Sequence, residues 1–513
     1  MRGRTRSRAL VDMLLPTDIM RFMKRLAPIS TSDTIAAIST PVGQGGLGIV
    51  RISGPGALKV ADKIFVCRKG VPSDFPTHTV HYGQIRADEQ TVDNVLLTVM
   101  RGPRSYTGED TVEISCHGGR IVLHKTLKAA VSAGARPANP GEFTMRAFLN
   151  GKLDLSQAEA VQELIGAQNE LAYRVASQHL RGKLRDAIEA IRSEIVDVAA
   201  VVEASVDFPE EDIELSSREE LCSRLSSATE RIEKLLSTFE DGARIVEGVN
   251  VVIAGKPNVG KSTLLNALLE KDVAIVTPVA GTTRDVLRES LILQGITLNV
   301  FDTAGIRRPR GLVEKEGVKR SKKALREADL VLFVLDAETG ITEEDRRIFD
   351  ELRGKRHIIV LNKIDLAPEA DVAVMVEQLE GLPVVEKLKG APEHPAPEPP
   401  TAASGLRDQQ AVRTSALRLE GIEELKRRIS DNVWSADIPS ADQAIITSVR
   451  HRDALERAKE ALDNAVKAIK EGLSPEFPAV EIREALDTLG RVTGETADDE
   501  ILNRIFSKFC IGK

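Results

Sequence analysis

The 513-residue sequence has only four cysteines, and Cys67, Cys116, Cys222 and Cys510 lie too far apart for metal-ligand spacing. They read as reduced thiols. Its eight histidines show no HxxxH pairing, so no zinc site is predicted. No run of eighteen apolar residues occurs, which excludes a membrane-spanning helix. Strong charge of one sign is also missing. A net charge of −7 and a pI near 5.8 argue against indiscriminate nucleic-acid binding, while leaving room for a local basic face. No GxGxxG follows a strand in the N-terminal region, and Gly43-Gln44-Gly45-Gly46 is only superficially similar, so no flavin is expected on this chain. The first 30 residues are Arg-rich and lack the apolar core of a secretory signal. Residues 1–32 are expected to be a disordered extension from an upstream start codon, with Met20 or Met23 as the natural start; a mitochondrial transit peptide is the alternative. The remaining composition, 42% hydrophobic and 29% charged, is that of a soluble globular protein, here expected in the cytoplasm, and the length predicts several domains.

What is present is a set of nucleotide-binding motifs. An apolar run, Val249 to Ala254, leads into Gly255-Lys256-Pro257-Asn258-Val259-Gly260-Lys261-Ser262, followed by a helical pattern from Thr263. This is the strand–loop–helix setting of GxxxxGK[ST], in which backbone N–H groups and a helix N-terminus cradle phosphates. Lys261 is expected to reach the outer phosphates and Ser262 to bind Mg²⁺. A second strand pattern, His357 to Leu361, ends in Asn362-Lys363-Ile364-Asp365. A carboxylate at Asp365 can accept from both N1–H and the 2-amino group of guanine. Adenine offers neither donor, and sites built on such pairing reject the wrong base strongly. Thr414-Ser415-Ala416 is expected to offer backbone N–H to the guanine O6, with Leu417 completing that turn. Between these segments, Asp302-Thr303-Ala304-Gly305 is expected to hold Mg²⁺ through water and to sense the γ-phosphate. Thr277-Pro278-Val279-Ala280-Gly281-Thr282-Thr283 can supply a mobile threonine to the Mg²⁺ shell.

Thr34 to about Asn150 reads as an α+β region, with strand-like runs at residues 48–52, 94–100 and 111–115. Helical periodicity begins near Ser156, where Ser156-Gln157-Ala158-Glu159 matches a capping box. It runs to about Glu240, broken near Asp207-Phe208-Pro209. The nucleotide-binding segment alternates strands and helices, which implies a mostly parallel sheet covered on both faces. After Trp434 the pattern is helical again to the C-terminus, with long runs at 448–470 and 479–489. Residues 389–404 are Pro/Ala/Glu-rich and read as a flexible surface loop.

Three further segments carry a resemblance: Gly45-Gly46-Leu47-Gly48-Ile49-Val50-Arg51-Ile52-Ser53-Gly54; the run from Pro140-Gly141-Glu142-Phe143-Thr144-Met145-Arg146 to Leu155; and the terminal Phe509-Cys510-Ile511-Gly512-Lys513. With the GTPase motifs they resemble the tRNA modification GTPases of the MnmE/TrmE type over about Asp33 to Lys513. The resemblance implies a multidomain α/β protein. Residues 33–152 form an α+β domain that binds folate and dimerises. A Ras-like P-loop GTPase domain (248–433) is inserted in an α-helical domain made of 153–247 and 434–513. It also implies a function: with a flavin-dependent partner subunit, adding an aminomethyl or carboxymethylaminomethyl group to C5 of the wobble uridine (position 34) of certain tRNAs. The one-carbon unit is supplied by a tetrahydrofolate derivative, and the assembly is a homodimer within a heterotetramer, with FAD on the partner only. A ribosome-assembly GTPase switch is the alternative. The family's folate contacts fall on Arg51, Glu113, Lys152 and Lys513; a carboxylate suits the pterin edge, and a cation suits folate's anionic tail.

Ras-like switches often place glutamine directly after Asp-x-x-Gly to orient water; here Ile306 stands there. By resemblance the catalytic group is Glu314, with Glu316 a nearby rival and Arg307 a further switch residue. The family uses K⁺ in place of an arginine finger. Asn258 matches its ligand, and backbone oxygens near Thr277, Val279 and Thr282 complete the shell; Ser262 and Thr283 take Mg²⁺. The Cys510 thiol could be a nucleophile towards uridine C6 or the folate carbon, or a small apolar contact at a helix end; the favoured expectation is a place near the folate pocket without a firm catalytic role.

Overall fold

The computed structural model describes the chain except residues 1–31, 42, 44, 88–89, 208–216, 270–287, 294, 303–324, 353, 381–410 and 434–442. The chain separates into two compact units. One comprises the described residues up to Ile165, Gln178–Arg231 and Asp453–Lys513; the other comprises Gly166–Ser177 and Ile232–Arg452.

The first unit begins with β1 (Ile35–Ile38), β2 (Gly45–Ser53), α1 (Ala57–Ile64), β3 (Phe65–Val66), β4 (Thr79–Ala87), β5 (Gln90–Met100), β6 (Thr111–Gly118), α2 (Arg120–Ser132), β7 (Arg136–Pro137), α3 (Glu142–Leu149) and α4 (Leu155–Gly166). The strands form one sheet in the order β3-β4-β5-β6-β2-β1-β7, antiparallel except at the β1–β7 pair. Side chains alternate between faces with period two. Val95, Leu97 and Val99 of β5 enter a core with Val50, Ile52, Val112 and Ile114, closed by Leu58 and Ala61 of α1 and Leu123 and Ala130 of α2. The opposite face carries Tyr82 opposite Leu96, both exposed, beside exposed Val80. Only the strands at 48–52, 94–100 and 111–115 were expected. β4 escapes periodicity reasoning because its buried face begins with Gly83 while the apolar Val80 and Tyr82 are exposed, which blurs its alternation.

The helices continue with α5 (Glu170–Leu180), whose residues up to Ser177 belong to the second unit, α6 (Lys183–Asp207), and α7 (Arg218–Leu236), whose residues from Ile232 also belong to the second unit. The capping expectation is corrected here. Ser156 lies inside the first turn of α4; the cap is Asp154, whose Oδ1 accepts from the Gln157 N–H at 2.9 Å while Gln157 Oε1 accepts from the Asp154 N–H at 3.0 Å. This is the same reciprocal device two residues earlier, with an aspartate in place of serine.

The second unit holds α8 (Phe239–Glu247), β8 (Val249–Ala254), α9 (Lys261–Leu269), β9 (Arg288–Leu293), β10 (Ile296–Asp302), β11 (Leu330–Asp336), α10 (Glu343–Glu351), β12 (His357–Asn362), α11 (Glu369–Glu380), β13 (Val412–Arg413) and α12 (Ile422–Val433). The sheet order is β13-β12-β11-β8-β10-β9, parallel throughout except for the β9 edge. Val251, Ile253, Leu332 and Val334 face a core shared with α9 and α12, whereas Val331, Phe333 and Leu335 face a second core with Val372 and Met375 of α11. Burial on both faces explains why β11 reads as an unbroken apolar run.

α13 (Val449–Lys470), α14 (Glu476–Thr493) and α15 (Asp499–Phe506) close the chain. α14 packs along α6, although the whole nucleotide-binding segment separates them in sequence. The helical domain is therefore built from both flanks of an inserted α/β domain. The final residues are not helical: Ile511 bridges Pro140. The Pro-rich stretch 389–404 lies outside the described residues. No described helix is long and apolar enough to cross a membrane.

Candidate functional site

The phosphate loop joins β8 to α9. Gly255 (φ 152°), Asn258 (φ 66°) and Gly260 (φ 94°) all adopt positive φ, which turns successive backbone groups inward. A Cβ at Gly255 would collide with Val334 O and one at Gly260 with Asn362 Nδ2, so glycine is sterically required at both. Buried Lys261 opens α9 and donates from Nζ to Gly255 O (2.8 Å) and Lys256 O (2.7 Å), across the loop it closes. Ser262 and Thr263 follow in the first turn of α9. Lys256 is braced away from the loop by Asp345 Oδ2 (2.9 Å), within the Thr342–Asp345 capping box of α10. The sequence did not single out this pair, because Lys256 occupies a variable position of the motif.

Asn362 ends β12 and ties two loops together. Its Nδ2 donates to Val259 O (2.9 Å), and its Oδ1 accepts from the Ala416 N–H (3.0 Å) and from Thr414 Oγ1 (3.3 Å). Lys363 (φ 64°) turns the chain and donates to Asp336 Oδ2 (2.6 Å) at the end of β11. Asp365 follows with its side chain only 6% exposed, facing the exposed Arg418 at 3.4 Å. The amides expected to meet guanine O6 are already committed. Thr414 N–H donates to Leu361 O, Ser415 N–H to Glu420 O, and Ala416 N–H to Asn362 Oδ1. In this turn the Leu417 N–H has no acceptor among the described residues, and its side chain is exposed. Gly421 (φ 72°) lets the turn close; a Cβ there would collide with Arg413 O.

Asp302 ends β10, level with Ile253 of β8, which aligns its backbone with the start of the phosphate loop. Thr277 to Thr283, Thr303, Ala304, Gly305, Arg307, Glu314 and Glu316 lie outside the described residues. Among the described residues no group of three or more His, Cys, Asp or Glu is placed to hold a metal.

A second constellation lies in the first unit. Arg51 of β2 and Glu113 of β6 are cross-strand partners, with Arg51 Nε and Nη2 each 2.8 Å from Glu113 Oε1. Arg51 also sits against the rings of Tyr106 and Phe143 and donates to Gly512 O at 3.4 Å. The C-terminal tail is held there. Ser39 Oγ donates to Gly512 O, Phe143 N–H donates to Lys513 O, and Gly512 (φ 98°) passes so close to Ile38 O that no Cβ fits. Burial, then the Arg51 charge, push the Lys513 ammonium below the usual lysine range, with Glu113 and Cys510 acting the other way. Burial likewise raises the Tyr106 hydroxyl. Tyr106 and Phe143 were not foreseen. Arg51, Glu113 and Lys513 thus share one site. Lys152 is exposed, donates to Pro103 O (3.1 Å) and has no contact with that group among the described residues. Cys510 is a free, exposed thiol beyond the end of α15.

Behind this site Arg146, fully buried, pairs with Asp33 (2.6 Å), Glu109 (3.1 Å) and the fully buried Glu142 (3.0 Å). Glu142 also receives Arg136 at 2.6 Å and the Asn139 N–H. Burial raises the Glu142 pKa, but these donors outweigh it, and the net shift is downward. Two charged positions of the Pro140–Leu155 run are therefore framework rather than reaction chemistry.

A family model described as "GTP-binding protein TrmE N-terminus" matches residues 34–152, and one described as "MnmE helical domain" matches residues 155–510. The tRNA modification GTPase MnmE of Protochlamydia amoebophila is 43% identical over 487 residues, covering 95% of this chain and 99% of its own. That of Carboxydothermus hydrogenoformans is 43% identical, and that of Thermoanaerobacter pseudethanolicus 44% identical, each over 94% of this chain and 99% of the relative. The chain belongs to the MnmE family of tRNA modification GTPases.

Proposed function

We propose that this chain hydrolyses Mg²⁺·GTP. With a separate flavin-dependent subunit, it installs an aminomethyl or carboxymethylaminomethyl group at C5 of the wobble uridine (position 34) of certain tRNAs. The observation that carries the nucleotide half is the Asn362 bridge, which couples the phosphate loop to the turn beside the buried Asp365. Asp365 accepts the guanine N1–H and 2-amino donors, and the Leu417 N–H meets O6. Ser262, with Thr283, would hold Mg²⁺, and Lys261 would leave its bonds to the loop carbonyls for the outer phosphates. Asp302 would help hold Mg²⁺ through water, Gly305 would sense the γ-phosphate, and Glu314, aided by Arg307, would position the attacking water. Asn258, with Thr277, Val279 and Thr282, would hold a potassium ion, which would supply positive charge to the transition state. Hydrolysis is expected to run faster in K⁺ than in Na⁺; equal rates would remove the potassium role.

The tetrahydrofolate derivative, when bound, supplies the one-carbon unit. The residues fit it in kind. Glu113 Oε1 takes both Arg51 donors, while Oε2 has no partner among the described residues and can accept from a pterin edge. Arg51, Lys152 and Lys513 suit the anionic tail. Two copies of the chain pair through the N-terminal domain, a reading supported by exposed Val80, Tyr82 and Leu96 on one sheet face. They assemble with two flavin subunits in the cytoplasm. Mass spectrometry of tRNA nucleosides from a deletion strain tests the whole reading: wobble-uridine modification should disappear, and its persistence would overturn the proposal.

A further inference from the structure

Between Glu113 and Glu142 the sequence contains no aspartate or glutamate, in a chain that carries 77 of them. α2 occupies the middle of this acid-free stretch. Arg120, His124 and Lys128 follow one another at i, i+4 and i+8, one stripe of the helix, and Lys125 stands beside them. All four are exposed and, with Ile121, line one shallow depression. None makes an ion pair among the described residues. Arg174, Arg224, Arg231, Arg427 and Arg483 each face a carboxylate, so exposed arginines of this chain do pair where an acid is near. His117, just before the helix, pairs with Asp93 at 2.8 Å. Arg120 opens the helix, with no acid in its first turn, where a cation opposes the helix dipole. Local stability therefore does not explain this arrangement.

We propose that this cationic face of α2 contacts the sugar–phosphate backbone of the tRNA; the inference rests on the tRNA reading above. Charge complementarity favours RNA over a protein partner. Protein interfaces are depleted in lysine around an apolar centre, whereas this patch offers one exposed isoleucine among four basic side chains. Cations a helical turn apart, about 6 Å, can meet successive phosphates without reading sequence. This gives an acidic protein a local route to a polyanion.

The test uses the full chain and an unmodified tRNA transcript, with binding followed by fluorescence anisotropy from 50 to 200 mM salt. Replacing Arg120, Lys125 and Lys128 together by Gln should weaken binding about tenfold or more at low salt. It should also make the log–log salt slope shallower by about 2. A control variant with Arg174, Arg224 and Arg427 changed to Gln should bind as the parent does. Both should keep the parent's GTPase rate and melting temperature. An unchanged affinity and slope in the α2 variant would overturn the footprint. So would intact tRNA binding with loss of the flavin subunit, which would assign the face to an acidic protein. Nucleoside analysis of the deletion strain reports on the modification reading separately.

Discussion

At the residue scale, the proposed recognition of the base rests on one carboxylate. Asp365→Asn replaces an acceptor by a donor in front of the guanine N1–H and 2-amino group. GTP affinity should fall by at least about a hundredfold, because a buried donor then faces a donor. Xanthosine triphosphate, which carries oxygen at that edge, should recover part of the loss; calorimetry with both nucleotides checks this. Arg146 is the corresponding residue for stability. Removing a fully buried guanidinium that serves three carboxylates, as in Arg146→Met, should cost about 3–5 kcal/mol in a urea titration. Glu142, held below the usual carboxylate range, adds a pH dependence of defined sign. Its unfolded form binds the proton more readily, so its contribution is complete above about pH 4.5 and fades as the pH falls through the lowered folded value. A parent protein whose urea midpoint did not move between pH 7 and pH 3.5 would contradict this.

At the element scale, the α4 cap shows both the reach and the limit of sequence reasoning. Ser156-x-x-Glu159 and Asp154-x-x-Gln157 both satisfy the pattern, and only backbone position separates them. Asp154→Ala should lower stability by about 1 kcal/mol, read as a fall in melting temperature. The phosphate loop and Asp365 were legible because their chemistry is contiguous in sequence. The Arg51–Glu113 pair could be named only by resemblance, since its partners come from β2, β6 and the chain's end. Tyr106 and Phe143 carried no signal of their own, being an aromatic in a loop and one in an amphipathic helix. The competition for the Thr414, Ser415 and Ala416 amides was hidden as well, because Asn362 reaches the Ala416 amide from more than fifty residues away and Leu361 takes that of Thr414.

At the scale of the whole molecule, the C-terminal tail belongs to a site built mostly from the beginning of the chain. Deleting Cys510–Lys513 removes the Gly512 and Lys513 contacts to Arg51, Ser39 and Phe143. Folate binding should fall at least tenfold while GTP binding stays at the parent value, both measured by calorimetry. Retained folate affinity would separate the tail from that pocket. Gly421 illustrates a different kind of dependence. It bears no group that could touch a nucleotide, yet the carbonyl of Arg413 occupies the space any side chain would need. In a saturation screen scored on growth, that position should therefore tolerate almost no allele. A geneticist reading the resulting map would see an invariant spot with no chemistry of its own, marking where the backbone has room for a hydrogen atom alone.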